Sequence, residues 1–218
     1  MLRVGEEFLR RVRLDDLAGV HEHDAVGDLA GKAHLMGNDQ HGHAVFRKID
    51  GFNCSVGTGG TLAGTSRALK ERNKDIFVAC ADPHGFAMYE LFKNGKAKST
   101  PGDSITEGIG LGRVTPVIET AKVDDAFLIS DEEAVTVIYD LLEHEGLCLG
   151  GSTGINVAGA IKLAKQLGPG KTIVTILCDS GNRYQSKLFN PEFMRSKKLP
   201  VPEWLEKRTE IDVPFEKV

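Results

Sequence analysis

The sequence predicts an α/β fold, a twisted and mainly parallel sheet flanked by helices. Two observations carry this prediction. From residue 49 onward, short β-branched apolar runs alternate with amphipathic stretches, and glycines mark the junctions between them. The run 172–178, TIVTILC, is also apolar throughout, as suits a strand covered on both faces. Composition agrees with a globular chain able to bury a core: 218 residues, 41% hydrophobic and 27% charged. The net charge of −4 provides no basic excess for nucleic acid or anionic lipid. No apolar run is long enough to span a membrane, and the charged start MLRVGEEFLRRVR leaves no room for a signal-peptide core. A cytoplasmic protein is therefore expected. Cys54, Cys80, Cys148 and Cys178 lie in or beside apolar runs without C-x-x-C pairing, so they are expected to be buried, reduced thiols.

Residues 1–48 lack the α/β rhythm. Segment 6–18 puts Phe8, Leu9, Val12 and Leu17 roughly on one face of a short helix, but no period follows it. His21, His23, His34, His41 and His43 cluster there, four of them in two H-x-H pairs. Imidazoles two apart on a strand would share a face and suit a transition metal. No cysteine or patterned strand fixes their geometry, however, so no metal site is expected. The segment 1–48 is read as poorly ordered or foreign to the fold, and 49–218 as the α/β domain.

Within that domain, 49–56 is a buried strand, 61–72 a helix and 76–81 the next strand. Ser130, followed three residues later by Glu133, forms a capping box that opens a helix through residue 145. Its buried face is expected to include Val135, Ile138, Leu141 and Leu142, and Gly146 stops it. Residues 147–149 are read as a short strand and 154–167 as a helix rich in small residues. Residues 93–117 and those after 190 are read mainly as loops.

Two glycine-rich strand-to-helix junctions carry the chemistry. In the first, Gly57, Thr58, Gly59, Gly60 and Thr61 follow a strand and open a helix. Backbone N–H groups can converge there on an anion, assisted by the helix dipole and the threonine hydroxyls. This is a phosphate cradle. A dinucleotide site would use the same physics, with Asp82 as the ribose-binding acid. Its fingerprint, counted from Gly57, requires glycine where Leu62 stands. The second junction, LGGSTG at 149–154, puts Ser152 at the carboxyl end of its strand, where open α/β sheets bind ligands. A third glycine loop, Thr106 to Gly110, has no helix to open and reads as the wall of a cleft.

In order and spacing, SVGTGGTLAGT, ADP, SITEGIG, EGLCLGGSTGINVAGA and TIVTILCDSGNRYQSKLFNPEF resemble the cysteine synthases, or O-acetylserine sulfhydrylases, of fold type II. The resemblance covers 51 to about 205. It implies most of the large domain of a pyridoxal-phosphate enzyme, and conversion of O-acetylserine and sulfide to cysteine and acetate. Gly57 to Thr61 would hold the cofactor phosphate, Ser152 would bond the pyridine nitrogen, and Gly108 would contact the amino-acid substrate. Asp179 would be a structural residue near the ring or a cap for the Ser180–Gly181 turn. Cystathionine β-synthases share several of these elements, and a homodimer is a further implication.

The resemblance also implies a Schiff-base lysine in an S-V-K-D-R-like context and an S-G-N-T-G-like loop, neither of which appears among the 56 residues before Gly57. Lys32 and Lys48 stand in unrelated contexts, so the catalytic residues are unknown. An N-terminally truncated or mis-framed product is expected, slow at making cysteine alone. The alternatives are a retained fragment that binds a phosphate ligand or a partner without catalysis, and a nicotinamide-dependent oxidoreductase using Gly57, Gly59 and Asp82.

Overall fold

The computed structural model describes residues 49–207. They lie within one unit, Leu35–Val218. The readings made for 1–48, the histidine cluster and its metal question included, lie outside the described residues. Four strands, β1 (Gly51–Ser55), β2 (Phe77–Pro83), β3 (Asp125–Ile129) and β4 (Ile173–Thr175), form an entirely parallel sheet in the order β3-β2-β1-β4. Seven α-helices accompany them among the described residues: α1 (Gly60–Arg72), α2 (Met88–Asn94), α3 (Pro116–Glu119), α4 (Asp131–Glu145), α5 (Gly151–Leu167), α6 (Pro191–Ser196) and α7 (Glu203–Glu206).

Strand alternation distributes the core between two faces. On β1 and β2, Phe52, Cys54, Val78 and Cys80 point to one side and join Leu62, Leu69, Met88 and Ile118 in a buried cluster. The opposite face is made of small or polar groups, because α5 lies close against it. A Cβ added to Gly159 would fall 2.7 Å from both Ala81 Cβ and Asn53 Nδ2. The small residues of α5 thus let a helix axis approach the sheet, and Ile155, Ala158, Ala81, Ile129 and Ala134 close a second cluster there. A third cluster, Val135, Ile138, Tyr139, Tyr184, Leu188 and Met194, ties α4 to the C-terminal segment.

The helix that begins after Ser130 has both halves of its capping box. The Glu133 N–H donates to Ser130 Oγ at 3.2 Å, and the Ser130 N–H donates to Glu133 Oε2 at 2.9 Å. Gly146 ends it at φ 69°. Val135, Ile138 and Leu141 are buried, while Leu142 is only half-buried.

Several expectations need correction. Residues 147–149 form no strand; Leu149 makes one antiparallel bridge, to Ser180, because the chain turns at once into α5. That helix starts at Gly151, three residues earlier than read, so Ser152 belongs to a first helical turn and not to a strand end. Of the apolar run 172–178, only Ile173–Thr175 pairs, at the edge of the sheet and half-buried, so it is not a strand covered on both faces. Beyond Thr175 the chain turns its backbone to α5, the Ile176 carbonyl accepting from Asn156 and the Cys178 N–H donating to Thr153 Oγ1. The expected loops 93–117 and those after 190 include α3 and the end of α2, and α6 and α7. Strand β3 is a further element beyond those expected: it opens on Asp125, just after Asp124, and only four apolar residues follow. Finally, Cys54 and Cys80 are buried, but Cys148 is half-buried and Cys178 exposed, so the expectation of four buried thiols fails for two.

Candidate functional site

A cleft of about 330 Å³ opens at the carboxyl ends of β1 and β4. Its floor is the turn from Ser55 to Thr61, one wall is Glu107, Gly108 and Ile109, and the other is Ser152 with Ile176, Cys178 and Asp179. The three sequence elements are therefore brought to one place, in the volume range of a small-ligand site.

The floor is built by the helix that follows it. Gly59 is the N-cap of α1, with φ 97° and no side-chain cap bond, and Ala63 N–H is the first to find an intrahelical acceptor, Gly59 O at 3.0 Å. The first-turn N–H groups of a 13-residue helix thus aim at the cleft with the positive end of its dipole. The left-handed φ explains glycine at 59, and a Cβ there would also fall 2.6 Å from the Ile118 side chain. Gly57 serves another purpose. A Cβ at 57 would lie 2.6 Å from Gly108 O, so glycine there lets the floor meet the opposing wall. That wall is pinned by the Gly110 N–H, which donates to Val56 O at 2.8 Å. By contrast, a Cβ at Gly60 would face open space.

The opposite wall carries Ser152, 5% exposed in the first turn of α5. Facing it, the Cys178 sulfur accepts from Asn156 Nδ2 at 3.4 Å. Burial pushes the Cys178 thiol up, and the neighbouring Ser152 hydroxyl and Asn156 amide pull it partly back. Cys54, on the floor side, is pushed up to about 12, chiefly by burial. Neither thiol is an activated nucleophile.

The acidic groups on the lining are engaged. Lys187 pairs with Glu107. Asp179 accepts from the Tyr184 hydroxyl at 2.5 Å, which raises the Tyr184 phenol to about 12. The Asp179 carbonyl accepts from the Gly150 N–H at 2.8 Å, which locks the turn into α5. Ser180 Oγ, and not Asp179, caps the short 3-10 turn Gly181–Tyr184 by accepting from the Asn182 N–H at 3.4 Å.

Asp82 is not part of this cleft. Its carboxylate is fully buried, and Oδ2 accepts from the Tyr89 N–H at 2.9 Å, at the start of α2. Burial pushes it up to about 6. A ribose could not reach it, so the nicotinamide reading fails on geometry as well as on Leu62.

The residues present suit a phosphorylated pyridine aldehyde. An open helix N-terminus lined by two threonines suits the phosphate, and a neutral hydroxyl on the facing wall suits a ring nitrogen. None of the described residues lining the cleft is a lysine. Sequence reasoning found both walls but missed Asn156 and Cys178, whose roles depend on how α5 lies against the strand ends.

A family model described as "Pyridoxal-phosphate dependent enzyme" matches residues 29–179, beginning within the segment read as foreign to the fold. Cysteine synthase 1 of Neurospora crassa is 43% identical over 166 residues, covering 73% of this chain and 44% of that protein. Cystathionine beta-synthase of Dictyostelium discoideum is 36% identical over 159 residues, 72% of this chain and 31% of that protein. Among solved structures, the O-acetylserine dependent cystathionine beta-synthase of Helicobacter pylori superposes with a TM-score of 0.59 at 34% identity, covering 68% of this chain and 46% of that one. The chain spans less than half the length of each of these relatives.

Proposed function

The chain belongs to the cysteine synthase family of pyridoxal-phosphate dependent enzymes, and we propose that its cleft holds the cofactor for replacing the acetoxy group of O-acetylserine by sulfide, giving cysteine and acetate. The observation that carries this reading is the convergence on one cleft of the Gly57–Thr61 floor, the Gly108 wall and Ser152. When bound, pyridoxal phosphate supplies an electron sink for the substrate α-carbon.

The chain's own residues divide the remaining work. The first-turn N–H groups of α1 and the Thr58 and Thr61 hydroxyls hold the phosphate and so orient the ring. Ser152 meets the ring nitrogen with a neutral hydroxyl, which cannot stabilise a protonated nitrogen as a carboxylate would. That moderates the sink and favours loss of a β-substituent over racemisation or transamination. Gly108 leaves room for the amino-acid substrate against the wall.

The amine that anchors the cofactor and removes the substrate α-proton is not supplied by the described lining. The chain alone is therefore proposed to bind the cofactor without efficient turnover. Borohydride reduction with pyridoxal phosphate, followed by peptide mass spectrometry and a parallel cysteine assay, tests this. The expected outcome is saturable absorbance without a stoichiometric lysine adduct or turnover. A single adduct at Lys32 or Lys48 together with cysteine formation would overturn the inactivity. A second reading, transfer to homocysteine, is supported by the similarity to the two cystathionine β-synthases. Any turnover seen with homocysteine but not sulfide would favour it.

A further inference from the structure

We infer that Asn156 is a positioning residue, a single buried amide that fixes the spacing between the Gly57–Thr61 floor and the Ser152–Cys178 wall. The inference rests on the cofactor reading for its purpose, but its geometry is independent of it. Asn156 is fully buried on α5, one turn after Ser152. Its Oδ1 accepts from the Ser55 N–H at 2.7 Å, at the last residue of β1 before the floor. Its Nδ2 donates to Ile176 O at 2.8 Å and to Cys178 Sγ at 3.4 Å, on the opposite wall. One planar amide therefore spans both sides.

The surrounding contacts hold that amide in place. The Asn156 main-chain carbonyl accepts from Asn53 Nδ2 at 2.7 Å, and Thr175 Oγ1 donates to Asn53 O at 2.8 Å. Thr153 Oγ1 accepts from the Cys178 N–H at 2.9 Å. The backbones of β1, α5 and β4 are thereby cross-linked directly behind the cleft. An apolar residue of the same shape would strand the Ser55 N–H and the Ile176 carbonyl without partners.

Asn156→Asp separates the two ends. It keeps an acceptor for the Ser55 N–H but loses the donor to the wall. Around the Cys178 thiol, the Ser152 hydroxyl and the Asn156 amide favour the thiolate, while Asp179 and burial oppose it; Cys54 is the other thiol on the lining. The pH profile of Cys178 alkylation by iodoacetamide, read by peptide mass, therefore reports the clamp without any ligand. In N156D it moves upward by about one pH unit, a tenfold slower reaction at neutral pH. Pyridoxal phosphate binds at least about fivefold more weakly, while inorganic phosphate, which needs the floor alone, changes by less than about twofold.

Asn156→Ser also removes the amide donor but leaves room for water, and moves the alkylation profile upward by a smaller amount, with no charge added, if N156D does not fold. An unmoved alkylation profile in a folded variant overturns the clamp. A shifted profile with both ligands weakened equally overturns its role in spacing the cleft. A shifted profile with a wild type that binds neither ligand leaves the clamp standing and sinks the cofactor reading.

Discussion

The two glycine-rich helix starts look alike in sequence but do opposite things. At the start of α1, Thr58, Gly60 and Thr61 are exposed or half-exposed and the helix N-terminus faces the cleft. At the start of α5, Gly151 to Gly154 are all buried. There the glycines allow contact: a Cβ at Gly154 would collide with the Ala134 carbonyl of α4, and one at Gly151 would meet Thr106 at 3.1 Å. Neither helix has a side-chain cap. The lesson is that a glycine-rich strand-to-helix turn signals an anion site only where its first N–H groups stay open. A third start, that of α2, shows the other solution, in which Asp82 from β2 accepts the Tyr89 N–H from within the fold.

The sharpest way to break this contrast is to add a methyl group at each position. Gly154→Ala is expected to lose about 3 kcal/mol or more of stability, read from the urea midpoint, because the backbone of α4 cannot yield to it. A loss below about 1 kcal/mol would show that α5 packs more loosely than described.

Asp82 comes next in size. Its folded-state pKa of about 6 lies above the 3.8 of the free side chain, so the folded state holds the proton more tightly. Stability is therefore present in full at pH below about 4 and falls as pH rises to about 6. Asp82→Asn should flatten that fall, worth roughly 2–3 kcal/mol between pH 4 and 7 in chemical denaturation. A parallel pair of pH curves would remove the carboxylate from the account.

Gly57→Ala should act mainly on the cleft. By pushing the floor from the Gly108 carbonyl, it should weaken pyridoxal phosphate at least about tenfold, about 1.4 kcal/mol, in a fluorescence titration. Smallest is Gly60→Ala, whose methyl meets nothing within 4 Å. Its thermal midpoint should hold or rise, by no more than about 1 kcal/mol in stability. A large destabilisation there would mean that the open helix start is not open.

Much of this was legible in the chain. β1, α1 and β2 announce themselves by period, and the Ser130 box and Gly146 stop mark α4 to the residue. Both walls of the cleft were readable from their glycines. What stayed hidden depends on tertiary placement. Asp125–Ile129 opens on acids that serve other elements, Asp124 accepting the Val78 N–H and Asp125 pairing with Lys93. Residues 176–178 look like strand because their side chains are apolar, yet their backbone is turned to Asn156 and Thr153. The exposure of Cys178 follows from that turn. Asn156 itself is one amide in a helix of small residues, and only the lie of α5 against β1 and β4 gives it both partners.

The floor of the cleft offers peptide N–H groups and threonine hydroxyls, none of which gains or loses a proton under physiological conditions. Capture of a phosphate monoester there should accordingly follow the ligand's own second ionisation, near pH 6, and level off above it. A lysine-lined site would let go again in alkali; this one would keep hold, so its grip would be set by the guest's acidity and not the host's.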